Sequence, residues 1–210
     1  MKIELSPAQA RELTGDKLYA YSAPVSQVDL VALLGRATKF RGQRAFFQSA
    51  DRRRTLLGLG ALRRWRGQSL AALAPQVERL RHQWVNLTPN EGACPLLLGG
   101  AAFDLAAPAA PWWGQLADGE FVLPEVLLCQ TPTAATVTLL VSGGAGAANR
   151  LSELAATVEA LLAAPGDPAA PGPASGQELA VAAWEDLVEQ TVAEIKAGRF
   201  AKVVLARQLA

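Results

Sequence analysis

Histidine and cysteine are scarce in this chain: His82 is the sole histidine, and Cys94 and Cys129 are the sole cysteines, among 210 residues. The cysteines stand far apart and match no metal or redox spacing, which argues against a zinc site or a disulfide framework and leaves two free thiols. His82 lies in a helical stretch beside Arg81 and Trp84, and no nucleophile motif accompanies it, so packing or the surface accounts for it better than catalysis. Long apolar runs are missing too. Half of the residues are hydrophobic, yet charges interrupt every apolar stretch before the roughly 18 residues that a membrane span requires. The N-terminal MKIELSPAQARELTGDK carries Glu4 and Glu12 and has no apolar centre, unlike a secretory signal. A cytoplasmic protein without a membrane partner is the expectation.

An excess of charge of one sign is also lacking. Twenty Lys and Arg against 19 Asp and Glu leave a net charge of +1, which provides no general field to draw nucleic acid or a lipid surface. The local mixture of Arg63, Arg64 and Arg66 around Trp65, with Arg52 to Arg54 upstream, has the composition of an RNA contact. Arginines in turns and along a polar sheet edge explain it better, because edge charge discourages strand-to-strand aggregation. Phosphate loops are absent in turn. Gly99 and Gly100 have no Lys-Ser/Thr after them, and VSGGAGAAN lacks the G-x-G-x-x-G of a dinucleotide site.

What the chain does contain is an irregular alternation of strand and helix signals. A strand near Lys17–Ser22 precedes a helix over 26–34, with Val28, Val31 and Leu34 at helical spacing and Gly35 as its stop. RAFFQS and TLLGLG flank the charged turn ADRRR and read as a hairpin. A helix over 69–85 sets Leu70, Leu73, Val77, Leu80 and Trp84 on one apolar face, with Pro75 marking a kink or a later start. LLLGGAAF is strand-like, its glycine pair permitting a bulge or a close backbone approach. FVLPEVLLCQ and ATVTLLVSG add two strands, Pro124 falling at an edge or bulge. A helix over 150–163 buries Leu151, Leu154, Val158, Leu161 and Leu162. Short connections and irregular order favour α+β with mostly antiparallel sheets over a doubly wound parallel fold.

Residues 1–162 thus form an N-terminal α+β region, and 163–176, rich in Pro, Gly and Ala, form a linker that supports neither helix nor central strand. Ser175 and Glu178 have capping-box spacing, although the next helix can start nearer Ala182. That helix closes on Gly198, and FAKVVLARQLA reads as a strand. Its period of two puts Phe200, Lys202 and Val204 on one face and Val203, Leu205 and Arg207 on the other. Both faces are largely apolar, so Lys202 is expected in a mostly buried setting where desolvation disfavours its charge and suits it to general-base work. Spacing alone equally allows Lys202 to flank the run and snorkel to solvent. Arg207 points away from Lys202 and reads as structural.

WEDLVEQTVAEIKAGRFAKVVLARQL, from Trp184, resembles the start of the chorismate-binding domain of chorismate-utilising enzymes. FFQSADRRRTLLGLG, LLLGGAAFD, the pair Trp112–Trp113 and FVLPE occur in the order and rough spacing of the N-terminal region of isochorismate synthases. The resemblance implies part of a layered αββα fold, with 177–210 opening a chorismate-binding domain that is truncated here. It implies an isomerase converting chorismate to isochorismate, for menaquinone or siderophore synthesis, by addition of water at C2 with loss of the C4 hydroxyl. Lys202 occupies the place of the water-activating base, where amine-transferring relatives carry glutamine. An acid glutamate and the glutamates that bind Mg2+ lie beyond this stretch in the family, and no acid from Glu4 to Glu194 matches their motifs. The fragment alone is therefore expected to be inactive. A salicylate synthase fragment and a non-catalytic scaffold or partner-binding module are the alternatives.

Overall fold

The computed structural model of the chain describes residues 9, 13, 17–66, 70–88, 95–101, 119–164 and 181–205. Two compact units divide it, Met1–Pro168 and Ala169–Ala210. The described elements of the first unit run β1 (Leu18–Pro24), α1 (Leu30–Arg36), a 3-10 turn (Thr38–Phe40), β2 (Arg44–Gln48), β3 (Thr55–Leu59) and β4 (Arg63–Arg66). They continue with α2 (Leu70–Gln83), β5 (Trp84–Asn86), β6 (Leu98–Gly100), β7 (Glu120–Leu123), β8 (Val126–Gln130), β9 (Ala135–Ser142) and α3 (Ala147–Ala163). The second unit carries α4 (Val181–Lys196). Among the described residues no helix is long and apolar enough to cross a membrane.

Six strands pair in the order β2-β3-β8-β9-β1-β5 and three in the order β4-β7-β6. Every described pairing is antiparallel except β1 with β5. The centre of the large sheet is apolar on both faces, as in β9, where Ala135, Val137, Thr138, Leu139, Leu140 and Val141 are all buried. One face, bearing Tyr19, Leu57, Leu59, Val137 and Leu139, packs on Leu30 and Leu33 of α1 and Leu151, Leu154 and Val158 of α3. The opposite face is covered by the small sheet and α2: Leu18, Ala20 and Leu140 meet Leu80 and Leu123, while Leu56 and Leu127 meet Leu98. Each fully buried leucine contributes about 1.5–3 kcal/mol. The only described polar residues in this interior are Ser22 and Thr138, whose hydroxyls bond each other at 2.7 Å. The molecule is α+β with mostly antiparallel sheets and outer helices, in line with the sequence pattern.

Several boundaries differ from the expectation. The first helix starts at Leu30 rather than residue 26, because Asp29 caps it: its carboxylate accepts from the N–H of Val31 at 2.8 Å and of Ala32 at 3.1 Å. It also runs through Gly35 to Arg36. The helix expected over 69–85 ends at Gln83 with Pro75 inside it, and Trp84–Asn86 becomes a strand parallel to β1, register Leu18↔Trp84. An open strand edge competes there with helical spacing, and β-favouring Trp84 and Val85 tip the balance. FVLPEVLLCQ is two strands rather than one: β7 joins the small sheet, β8 the large, and Pro124, which has no N–H to donate, sits where the chain changes sheets. The RAFFQS–TLLGLG hairpin forms as expected, Gln48 facing Thr55. In its turn Arg52 takes φ 56°, and the Ser49 hydroxyl, with the N–H of Arg53, holds the Asp51 carboxyl below the usual range. The linker lies outside the described residues from 165 onward, as do Ser175 and Glu178.

Candidate functional site

Lys202 lies shortly after α4, which ends at Lys196. Trp184, Leu187, Val188, Thr191, Val192 and Ile195 recur at helical spacing along that helix, the pattern of an amphipathic element. Gly198, at φ +74°, ends it, with its N–H bonded to Ile195 O at 3.0 Å and that of Arg199 to Glu194 O at 3.1 Å. The chain then leaves the helix at Phe200 and presents Lys202 four residues past the turn glycine.

Two expectations about this segment are corrected. Residues 201–205 are irregular rather than a β-strand, and Lys202 is exposed rather than buried. Val204 is 78% exposed and Phe200 53%. A strand exists through hydrogen bonds to a neighbouring strand, and none of the described strands pairs with these residues. Arg207 and the rest of 206–210 lie outside the described residues.

The remaining sequence candidates scatter. His82 is exposed in the last turn of α2, and Cys129 is a free, half-buried thiol on β8. Cys94, Trp112 and Trp113 lie outside the described residues. Among the described residues no group of three or more His, Cys, Asp or Glu side chains is placed to hold a metal ion.

What the sequence did not show is the ionic organisation around the small sheet. Arg63–Arg66 is an edge strand, as the sheet-edge reading of these arginines requires. Across β4 and β7, Arg64 and Arg66 both pair with Glu120, the latter at 2.7 Å. Glu125, just after the change of sheet, binds Arg150 of α3 bidentately, Nη2 reaching its two oxygens at 2.7 and 2.9 Å. That hydrogen bond, aided by Glu153, raises the Arg150 guanidinium further above its usual range. Only the register Arg66↔Glu120 reveals the first cluster, and register is not legible in single residues. Beside β4, a cleft of about 390 Å³ opens against α2, lined in part by Arg63, Trp65, Gln76, Arg79 and Leu80.

The isochorismate synthase MenF of Bacillus subtilis (strain 168) is 26% identical over 230 residues, covering 96% of this chain and 46% of the relative. The chain thus spans about half the length of the curated relative that it matches. A solved structure described as MenF, the menaquinone-specific isochorismate synthase from Escherichia coli, aligns with 88% of this chain and 40% of its own, at 16% identity and a TM-score of 0.49. A family model described as chorismate binding enzyme matches residues 5–210, from the N-terminal region through Lys202, and on that match the chain belongs to the chorismate binding enzyme family.

Proposed function

We propose that this chain supplies the N-terminal part of an isochorismate synthase, an isomerase acting on chorismate, and that Lys202 is its water-activating base. The observation that carries the reading is the family match over residues 5–210, a range that includes Lys202. The likeness to the Bacillus subtilis isochorismate synthase supports it. In this reading the neutral Lys202 amine takes a proton from water as the water oxygen bonds to C2 of chorismate, and the C4–oxygen bond breaks. The leaving hydroxyl takes a proton from an acid, so one water is gained and one lost, and the product is an isomer. That acid is assigned to residues outside this chain.

The described residues do not fit a Mg2+ site, since no three metal-ligating side chains converge among them. The isochorismate formed serves menaquinone or siderophore synthesis in the cytoplasm under this proposal.

The test is Lys202→Gln in the full-length protein. Glutamine keeps much of the length and polarity of lysine and cannot accept the proton, so isochorismate formation should fall by about 10²–10⁴-fold with the fold retained by circular dichroism. Undiminished turnover by the folded variant would remove Lys202 from the mechanism. In the same assay the 210-residue chain alone should give no isochorismate, with Mg2+ present. Salicylate as the product of the full-length protein would move the assignment to the salicylate synthases.

A further inference from the structure

The cleft between β4 and α2 has an unusual charge inventory. Arg63 and Trp65 project from the same face of the edge strand, by the two-residue alternation of β structure. The Trp65 ring is held in place by its indole N–H, which donates to Gln76 Oε1 of α2 at 2.8 Å. Arg79, one turn further along α2, reaches the same cleft, as does the buried Leu80. Among the described residues no acidic side chain lines it. Arg64 also contributes to the wall, but its guanidinium is occupied by Glu120 together with Arg66. Arg63 and Arg79 have no carboxylate partner among the described residues, so two like charges face one concavity uncompensated.

We propose that this cleft binds a small organic anion, a carboxylate or phosphate group carried on a planar or apolar body. Guanidinium groups match either oxyanion in a two-pronged geometry, and an anion between Arg63 and Arg79 offsets their mutual repulsion. The volume, about 390 Å³, lies in the range of small-molecule sites and far exceeds what an inorganic ion fills. Trp65 and Leu80 supply an apolar wall for the body of the ligand, and the pinned indole presents a rigid ring for stacking. A net charge of +1 over the whole chain provides no extended field, which favours a small ligand over an extended nucleic acid. The site is independent of the role assigned to Lys202.

The proposal is tested on the full chain by titrating benzoate, phenyl phosphate and inorganic phosphate separately while following the Trp65 indole N–H resonance, assigned with Trp65→Phe. A saturable shift with benzoate or phenyl phosphate is expected, and the tighter of the two identifies the oxyanion. Arg63→Gln and Arg79→Gln should each weaken that binding by at least about tenfold, since each removes a charge-assisted hydrogen bond. Arg81→Gln, on the same helix but paired with Glu78, should leave it within about twofold. Arg79 is exposed, so its variant folds even if the Arg63 variant does not. A shift that fails to saturate, one produced by inorganic phosphate alone, one competed away by an oligonucleotide whose footprint extends beyond the cleft, or an affinity unchanged in Arg79→Gln would each overturn the proposal.

Discussion

Gly99 and Gly100 are adjacent, equally lacking in side chain, and under different constraints. Gly99 sits at φ +158°, where a Cβ would lie 2.0 Å from the carbonyl oxygen of Glu120 and 2.7 Å from the Cα of Phe121. Both contacts are backbone of β7, its pairing partner, and cannot yield without opening the β6–β7 ladder. A Cβ on Gly100 would meet nothing within 4 Å. Gly99→Ala should therefore destabilise the first unit by about 1–3 kcal/mol, read as a lower urea midpoint. Gly100→Ala should stay within about 0.5 kcal/mol. Equal midpoints for the two variants would show that β7 does not press on Gly99. The sequence showed that the glycine pair allows close backbone approach; which glycine meets it depends on β7, more than 15 residues downstream, and is set by register. The same holds for Glu120, an unremarkable acid until pairing brings Arg64 and Arg66 to it.

Among the elements, those whose signals are local were legible and those decided by a distant neighbour were not. The β2–β3 hairpin and α3 follow from alternation, turn residues and helical spacing within their own segments. Trp84 fits the apolar stripe of α2 by spacing, yet lies in β5, because the free edge of β1 takes up Trp84–Asn86. Helix α1 shows the opposite case of a local signal with two readings. Its apolar positions permit a start at residue 26, and the capping carboxylate of Asp29 selects Leu30. Asp29→Ala leaves two N–H groups of the first turn without their acceptor and should cost about 1 kcal/mol. Asp29→Asn should cost a few tenths, because its side-chain oxygen still accepts. Chemical denaturation of the three proteins side by side checks this. Equal losses for alanine and asparagine would shift the effect from capping to charge.

The two units of the molecule rest on different physical terms. Met1–Pro168 covers both faces of its large sheet, and its interior strands β3, β8, β9 and β1 are hydrogen-bonded on both edges. In Ala169–Ala210 the stripe along α4 lies at the surface: Leu187, Val188 and Val192 are exposed, followed by Phe200 and Val204. A 16-residue helix is marginal by propensity alone and depends on burying its apolar face. None of the described strands pairs with Arg199–Leu205, so these residues should open with almost no free-energy cost. Hydrogen exchange of the dilute 210-residue chain should accordingly find the amides of β8, β9 and β1 slowest, α4 intermediate, and Phe200–Leu205 near the rate of an unfolded peptide. Raising the concentration should slow exchange in α4 and Phe200–Leu205 together, because exposed apolar surface and unpaired backbone recruit a second copy. Slow exchange at Val203–Leu205 that does not change with concentration, in a chain shown to be monomeric by light scattering, would mean that this chain buries the Lys202 segment unaided.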